Sequence, residues 1–228
     1  MGGPISLVLS LLAASAGPTP VGPLLHPAGP GPGEWRLGAG LEVDLLPRFL
    51  VEAELRALPR AALHLRLGLI DALTLDLSLT GIVLTNEARA GLSYSVGLGP
   101  LTLALHDRFG FGLGVVDLAG FDTMTWSISN TPGASVGIEI QGSWLSLRFE
   151  PRLALLQRVR FGSATIAPRL FTFAGTSTTF AVETPLDGGL LYYGLTLLWT
   201  VADDQLWLAF SDAKGRLIYP RFFAGYAF

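Results

Sequence analysis

From Trp35 onward the apolar residues of this chain fall on every second position. In EWRLGAGLEVDL, Trp35, Leu37, Ala39, Leu41, Val43 and Leu45 share one face, and Glu34, Arg36, Glu42 and Asp44 share the other. Phe49, Val51, Ala53 and Leu55 oppose Glu52, Glu54 and Arg56 in the next segment. Leu63, Leu65, Leu67 and Leu69 then oppose His64 and Arg66, and Leu73, Leu75, Leu77 and Leu79 oppose Thr74, Asp76, Ser78 and Thr80. A period of two belongs to a strand, because successive side chains of a strand point to opposite faces. Leu, Ala and Glu favour helix intrinsically. A helix, however, would scatter Leu63, Leu65, Leu67 and Leu69 around its circumference, whereas a strand gathers them on one side.

The code continues through Leu92, Tyr94, Val96 and Leu98, then Leu101, Leu103 and Leu105, and then Phe109, Phe111, Leu113 and Val115. Later segments place Leu145, Leu147 and Phe149, then Leu191, Tyr193, Leu195, Leu197 and Trp199, then Leu206, Leu208 and Phe210 on one face each. Gly, Pro, Asn and Asp clusters separate these runs, including Gly99-Pro100, Asn130 to Gly133, Pro185 to Gly189 and Asp212 to Gly215, residues that terminate strands by fixing turn geometry. Dividing the chain by a spanning length of roughly 9 to 11 residues predicts an all-β, closed antiparallel barrel of about 12 strands, within about 10 to 14. No repeat or second domain interrupts it.

Composition decides what surrounds such a barrel. Half of the 228 residues are hydrophobic, only 14% are charged, and the mean hydropathy is +0.50, against about a quarter charged in a soluble domain. A helical membrane protein would need apolar runs of roughly 18 residues or more, and none occurs after residue 17. Cysteine is absent, which removes disulfide and thiolate chemistry. The net charge of −3 gives no basic footprint for nucleic acid.

The first 33 residues have a different character. MGGPISLVLSLLAASA carries an apolar stretch too short to span a bilayer, followed by Ala14-Ser15-Ala16 in an A-x-A arrangement, although no Lys or Arg precedes the apolar stretch. It reads as a signal peptide over 1–16, cleaved after Ala16. Residues 17–33 (GPTPVGPLLHPAGPGPG) read as an extended Pro/Gly-rich linker in which His26 is solvated, and 34–228 as the barrel.

Alternation alone does not say which face points outward, since a soluble barrel has the same period. Export, overall apolarity and aromatic residues near strand ends (Trp35, Phe49, Trp199, Tyr226, Phe228) favour a barrel in a membrane with its apolar face outside. The start of the chain, its amphipathic strands and the ending RFFAGYAF resemble bacterial outer-membrane β-barrel proteins as a class. That resemblance implies localisation in the outer membrane, outer-membrane lipids and the barrel-assembly machinery as partners, and an assembly signal carried by Arg221, Tyr226 and Phe228. Phe223 stands where the class usually has glycine, the nearest glycine being Gly225.

Function has to come from the polar face. Glu42, Asp44, Glu52, Glu54, Arg56, His64, Arg66 and Asp76 alternate with the apolar positions, and Arg148, Glu150, Arg152, Arg158 and Arg160 form a second charged group. Charges facing lipid at mid-membrane cost about 2 to 4 kcal/mol each, so they are expected to line the lumen. There they form either an ion network that satisfies the interior or the lining of a narrow channel for a small solute. For catalysis, the candidates are His106, Asp107 and His64. Neighbouring strand residues face opposite ways, so His106 and Asp107 converge only if they lie in a loop. Three scattered histidines make no metal site, and no cofactor motif is present. Two classes remain: a non-enzymatic small channel, porin-like or structural envelope protein, and an outer-membrane hydrolase or acyltransferase, acting on lipid or peptide, with a His-based site at the barrel rim.

Overall fold

The computed structural model describes residues 22–47, 57–81, 85–118, 121–161, 164–186, 188–201 and 216–228. Among them, ten strands follow one another: β1 (Trp35–Leu45), β2 (Ala57–Ile70), β3 (Leu73–Gly81), β4 (Thr85–Leu98), β5 (Leu101–Leu118), β6 (Phe121–Ile140), β7 (Ser143–Phe161), β8 (Ala164–Leu186), β9 (Gly189–Val201) and β10 (Arg216–Ala227). Each pairs antiparallel with its sequence neighbour, and β1 pairs with β10 to close the barrel. Leu41 lies opposite Ala224 in that seam, and the Phe228 N–H reaches the Leu37 carbonyl at 2.8 Å. Closure gives every strand a hydrogen-bonded neighbour on both sides along part of its length, so neither β1 nor β10 is an edge strand.

Ten strands lie within the expected range of about 10 to 14, at its lower end because several strands are longer than a minimal span. β5, β6, β7 and β8 run 18, 20, 19 and 23 residues. The expected turn at Asn130 to Gly133 lies within β6, where unbroken pairing with β5 carries the chain through Pro132 and pairing with β7 resumes at Ala134. Leu101 to Leu105 and Phe109 to Val115 form one continuous strand. The alternating segments at Phe49 to Leu55 and Leu206 to Phe210 fall outside the described residues.

Two-residue turns at Asp71-Ala72, Gly99-Pro100 and Gln141-Gly142 fall at one end of the barrel, with the start of β1 and the end of β10. We term this the short-turn end. Gln141 and Gly142 both have positive φ, 52° and 77°, as the type I′ turn of a tight hairpin requires.

Apolar side chains cover the outside. On β5 the outward row contains Leu101, Leu103, Leu105 (68% exposed), Phe109 (56%) and Phe111, while His106 and Arg108 of the same strand are buried. Asp44, Arg66, Glu87, Glu150 and Glu183 are likewise buried. The inversion is complete enough that the apolar core among the described residues is one small cluster: Leu24, Leu190, Tyr192 and Ala227, with Leu25, Trp144 and Phe223 against it.

Candidate functional site

Leu24 in that cluster belongs to the segment expected to be a solvated linker. Residues 22–33 instead fold into the barrel from the short-turn end. Leu24 is fully buried and His26 is only 3% exposed, which corrects the expectation of a solvated His26. The wall makes room for them: Gly38 leaves space for Leu24, and Gly137 lies bare against the His26 ring and Pro27. At the rim, Gly33 N donates to the Gly68 carbonyl at 2.8 Å and Gly68 N to the Glu34 carbonyl at 2.9 Å. A side chain on Gly68 would collide with the Gly31 carbonyl, so only glycine admits the segment there.

The segment is fastened by its backbone. Glu183, buried on β8, accepts the N–H groups of Leu24 (2.6 Å), Leu25 (2.9 Å) and His26 (2.6 Å). Arg66 donates to the Leu24 and His26 carbonyls at 3.0 and 2.6 Å, and Arg148 to the Leu25 carbonyl at 3.1 Å. Backbone groups buried without partners are costly; here a carboxylate and two guanidiniums satisfy six of them with charge-assisted bonds. His26 Nδ1 accepts the Ala28 N–H at 3.2 Å, which fixes the neutral tautomer with its proton on Nε2. Burial, and then the nearby Arg66 charge, hold the His26 pKa down to about 4.

Further along the interior the charges pair with one another. Arg66 meets Asp76 at 2.5 Å. Glu150 is shared between His106 Nε2, at 2.9 Å, and Arg108. Glu87 is held by Arg89 at 2.8 Å and Arg152 at 3.0 Å. Arg221 grips Asp44 through two nitrogens, at 2.5 and 3.0 Å, and lies 3.4 Å from Glu42, while Arg60 approaches Asp44 at 3.7 Å. The last two groups border a cavity of about 120 Å³ on the side away from the short-turn end. Its remaining lining is rich in hydroxyls, such as Thr125, Ser127, Thr176 and Thr200. Gly112 and Gly114 alternate along β5 in that lining and leave the space open.

Of the residues read as lumen-facing, Glu42, Asp44, Arg66 and Glu150 are buried, and Asp76 and Arg148 bond within the interior. His64 packs edge-on against Tyr192, ring centroids 6.1 Å apart. Glu52, Glu54 and Arg56 lie outside the described residues. Arg158 and Arg160 are exposed, contrary to expectation. The register of β6 and β7 slips between Ile128 and Ser129, and a one-residue slip sends every later side chain to the opposite face. Arg158 lies 5.6 Å from the centroid of the Trp126 ring. Tyr226 and Phe228 stack edge-on at 5.2 Å, and Arg221 turns inward to Asp44.

His106 and Asp107 face opposite ways: the imidazole is buried beside Glu150, and the carboxylate is exposed and bonded to Asn130 Nδ2 at 2.6 Å. Among the described residues, no serine or threonine hydroxyl bonds to either His64 or His106, and no three acidic or histidine side chains group as metal ligands. Sequence reading missed Glu183, Glu87 and Arg108 as interior groups. The alternation around each, such as Ala181 and Glu183 against Val182 and Thr184, carried the signal.

No protein-family model matches this chain, and no curated protein matches its sequence.

Proposed function

We propose that this protein is a bacterial outer-membrane β-barrel, a non-enzymatic envelope protein that spans the bilayer with its interior closed at rest by its own N-terminal segment. The observation that carries this reading is the inversion of the usual pattern. Large apolar side chains ring the outside, while Asp44, Arg66, Glu87, Arg108 and Glu150 of the same strands are buried inside and paired. In water such a surface far exceeds the few hundred Å² of apolar patch that soluble monomers expose. In a bilayer it is the expected outer face of a barrel, and closure pairs the first strand with the last so that no whole strand is left as an edge. The outer membrane is favoured by the resemblance of the signal-like start and the RFFAGYAF ending to that class.

The closed state follows from the segment fastened by Glu183, Arg66 and Arg148 at the short-turn end. A non-enzymatic role is favoured by the His106 imidazole being engaged by Glu150 in the paired interior.

Refolding tests the reading. The purified chain, diluted from urea into phosphatidylcholine vesicles, is expected to gain β-sheet circular dichroism, float with the lipid and resist trypsin. Diluted into buffer without lipid or detergent, it is expected to aggregate. A monodisperse, folded, lipid-free protein would overturn the membrane assignment.

A further inference from the structure

One charged residue interrupts the outward row of β5. Asp107 occupies the outward row of β5 between Leu105 and Phe109, where every other position from Leu101 to Val115 is apolar. On the transmembrane reading above, on which this inference rests, that places a carboxylate near the middle of the lipid-facing belt. An ionisable group inside a membrane is costly and marks a functional contact.

Its one partner among the described residues is Asn130 on β6, whose Nδ2 donates at 2.6 Å. That bond uses one carboxylate oxygen and one amide hydrogen. The second Asp107 oxygen, the second Asn130 N–H and the Asn130 carbonyl are left without partners among the described residues, and hydrocarbon offers none. The pair therefore presents an acceptor and a donor side by side, a self-complementary arrangement: a two-fold rotation brings the free N–H of each copy to the free carboxylate oxygen of the other.

The shape around it agrees. Pro132 lies opposite Asp107 in register, and Ala90, a small residue of the kind that lets two membrane surfaces approach, lies opposite Phe109, itself opposite Asn130. Beside them, Ala88 and Ala90 floor an apolar hollow walled by Leu77, Leu79, Phe109 and Phe111. On the other side of the pair, Phe149 and Leu153 project from β7. The same two-fold axis sets the projections of each copy over the hollow of the other.

We propose that the outer face of β5 and β6 is the contact between two copies of this chain in the bilayer, with Asp107 and Asn130 at its centre.

Because the chain has no cysteine, single-cysteine variants test this directly in phosphatidylcholine vesicles, with flotation scored first so that failed insertion is distinguished from failed association. Pro132→Cys, near the proposed axis, is expected to cross-link to a dimer on oxidation, and Leu195→Cys, on the outer face of β9, is not. Adding Asp107→Leu to Pro132→Cys is expected to leave insertion intact and to weaken dimerisation about tenfold, the loss of two interchain hydrogen bonds in lipid. Asp107→Asn, which keeps an acceptor, is expected to retain more of the dimer than Asp107→Leu.

Inserted protein that stays monomeric, with lipid alone covering Asp107, would overturn the proposal and leave the membrane reading standing. So would equal cross-linking at positions 132 and 195, or full dimerisation of the Asp107→Leu variant. A chain that does not float would overturn both.

Discussion

The Glu183 carboxylate accepts the His26 backbone N–H at 2.6 Å, and across that bond the N-terminal segment is fastened inside the barrel that follows it in sequence. Two further N–H groups share the same carboxylate. Glu183→Ala is predicted to strip three buried donors of their acceptor. Losing one side of such a buried charged contact costs about 3 to 5 kcal/mol, so the segment leaves the interior and is hydrated instead. Hydrogen exchange at Leu24, Leu25 and His26 should rise towards that of free peptide while β8 and β9 remain protected. Glu183→Gln keeps one acceptor oxygen and should fall between. Unchanged protection in the alanine variant would show that the segment is held by something else.

Acid should loosen the same joint. His26 is neutral when docked, with its pKa lowered to about 4 from the 6.5 expected when free. A base whose docked pKa is depressed stabilises docking fully above about 6.5 and loses that stabilisation as pH falls towards 4, up to about tenfold in the docking equilibrium per unit. Titration of the His26 ring by NMR in micelles should give a midpoint near 4, and His26→Gln should flatten the pH dependence of exchange at Leu24. A ring that titrates at its ordinary value would mean an undocked segment.

The outer surface makes a separate prediction. Leu63 is half exposed at the middle of β2, and Leu63→Arg should destabilise the protein in vesicles by about 2 to 4 kcal/mol if that position faces the bilayer midplane. Urea unfolding in lipid measures it. A neutral Leu63→Arg would place this face in water.

Inside, the consequence is reversed. Glu150 serves Arg108 and His106 and is buried. Glu150→Gln leaves the buried Arg108 charge without its counter-ion and should cost about 3 to 5 kcal/mol. Glu34, half exposed in its pairing with Arg36, should lose no more than about 1 kcal/mol on the same substitution. Comparable losses at the two positions in the same urea experiment would mean that the interior is wet and its charges screened.

The strands were legible because their pairing partners are sequence neighbours and each carries its own period of two; Leu63 to Leu69 and Leu73 to Leu79 describe β2 and β3 without reference to anything else. Asn130 to Gly133 misled because turn chemistry is local, and here unbroken pairing with β5 overrides it while the pairing with β7 lapses over Thr131 to Gly133. Arg158 and Arg160 misled because a slip of one residue is invisible in composition. The burial of Leu24 was not legible at all. Pro and Gly around it predict a linker, and what holds it is a carboxylate 159 positions away. Asp107 was read as a possible partner of His106, when its significance lies in the outward row it interrupts.

Planar-bilayer recording tests the central claim, a membrane-spanning barrel closed by its own N-terminal segment. The full chain should insert and remain electrically silent at neutral pH, while a variant lacking residues 22–33, or carrying Gly68→Ala to obstruct the segment at the rim, should show stepwise conductance. A steady open conductance from the full chain, unchanged by deletion of the segment, would contradict it.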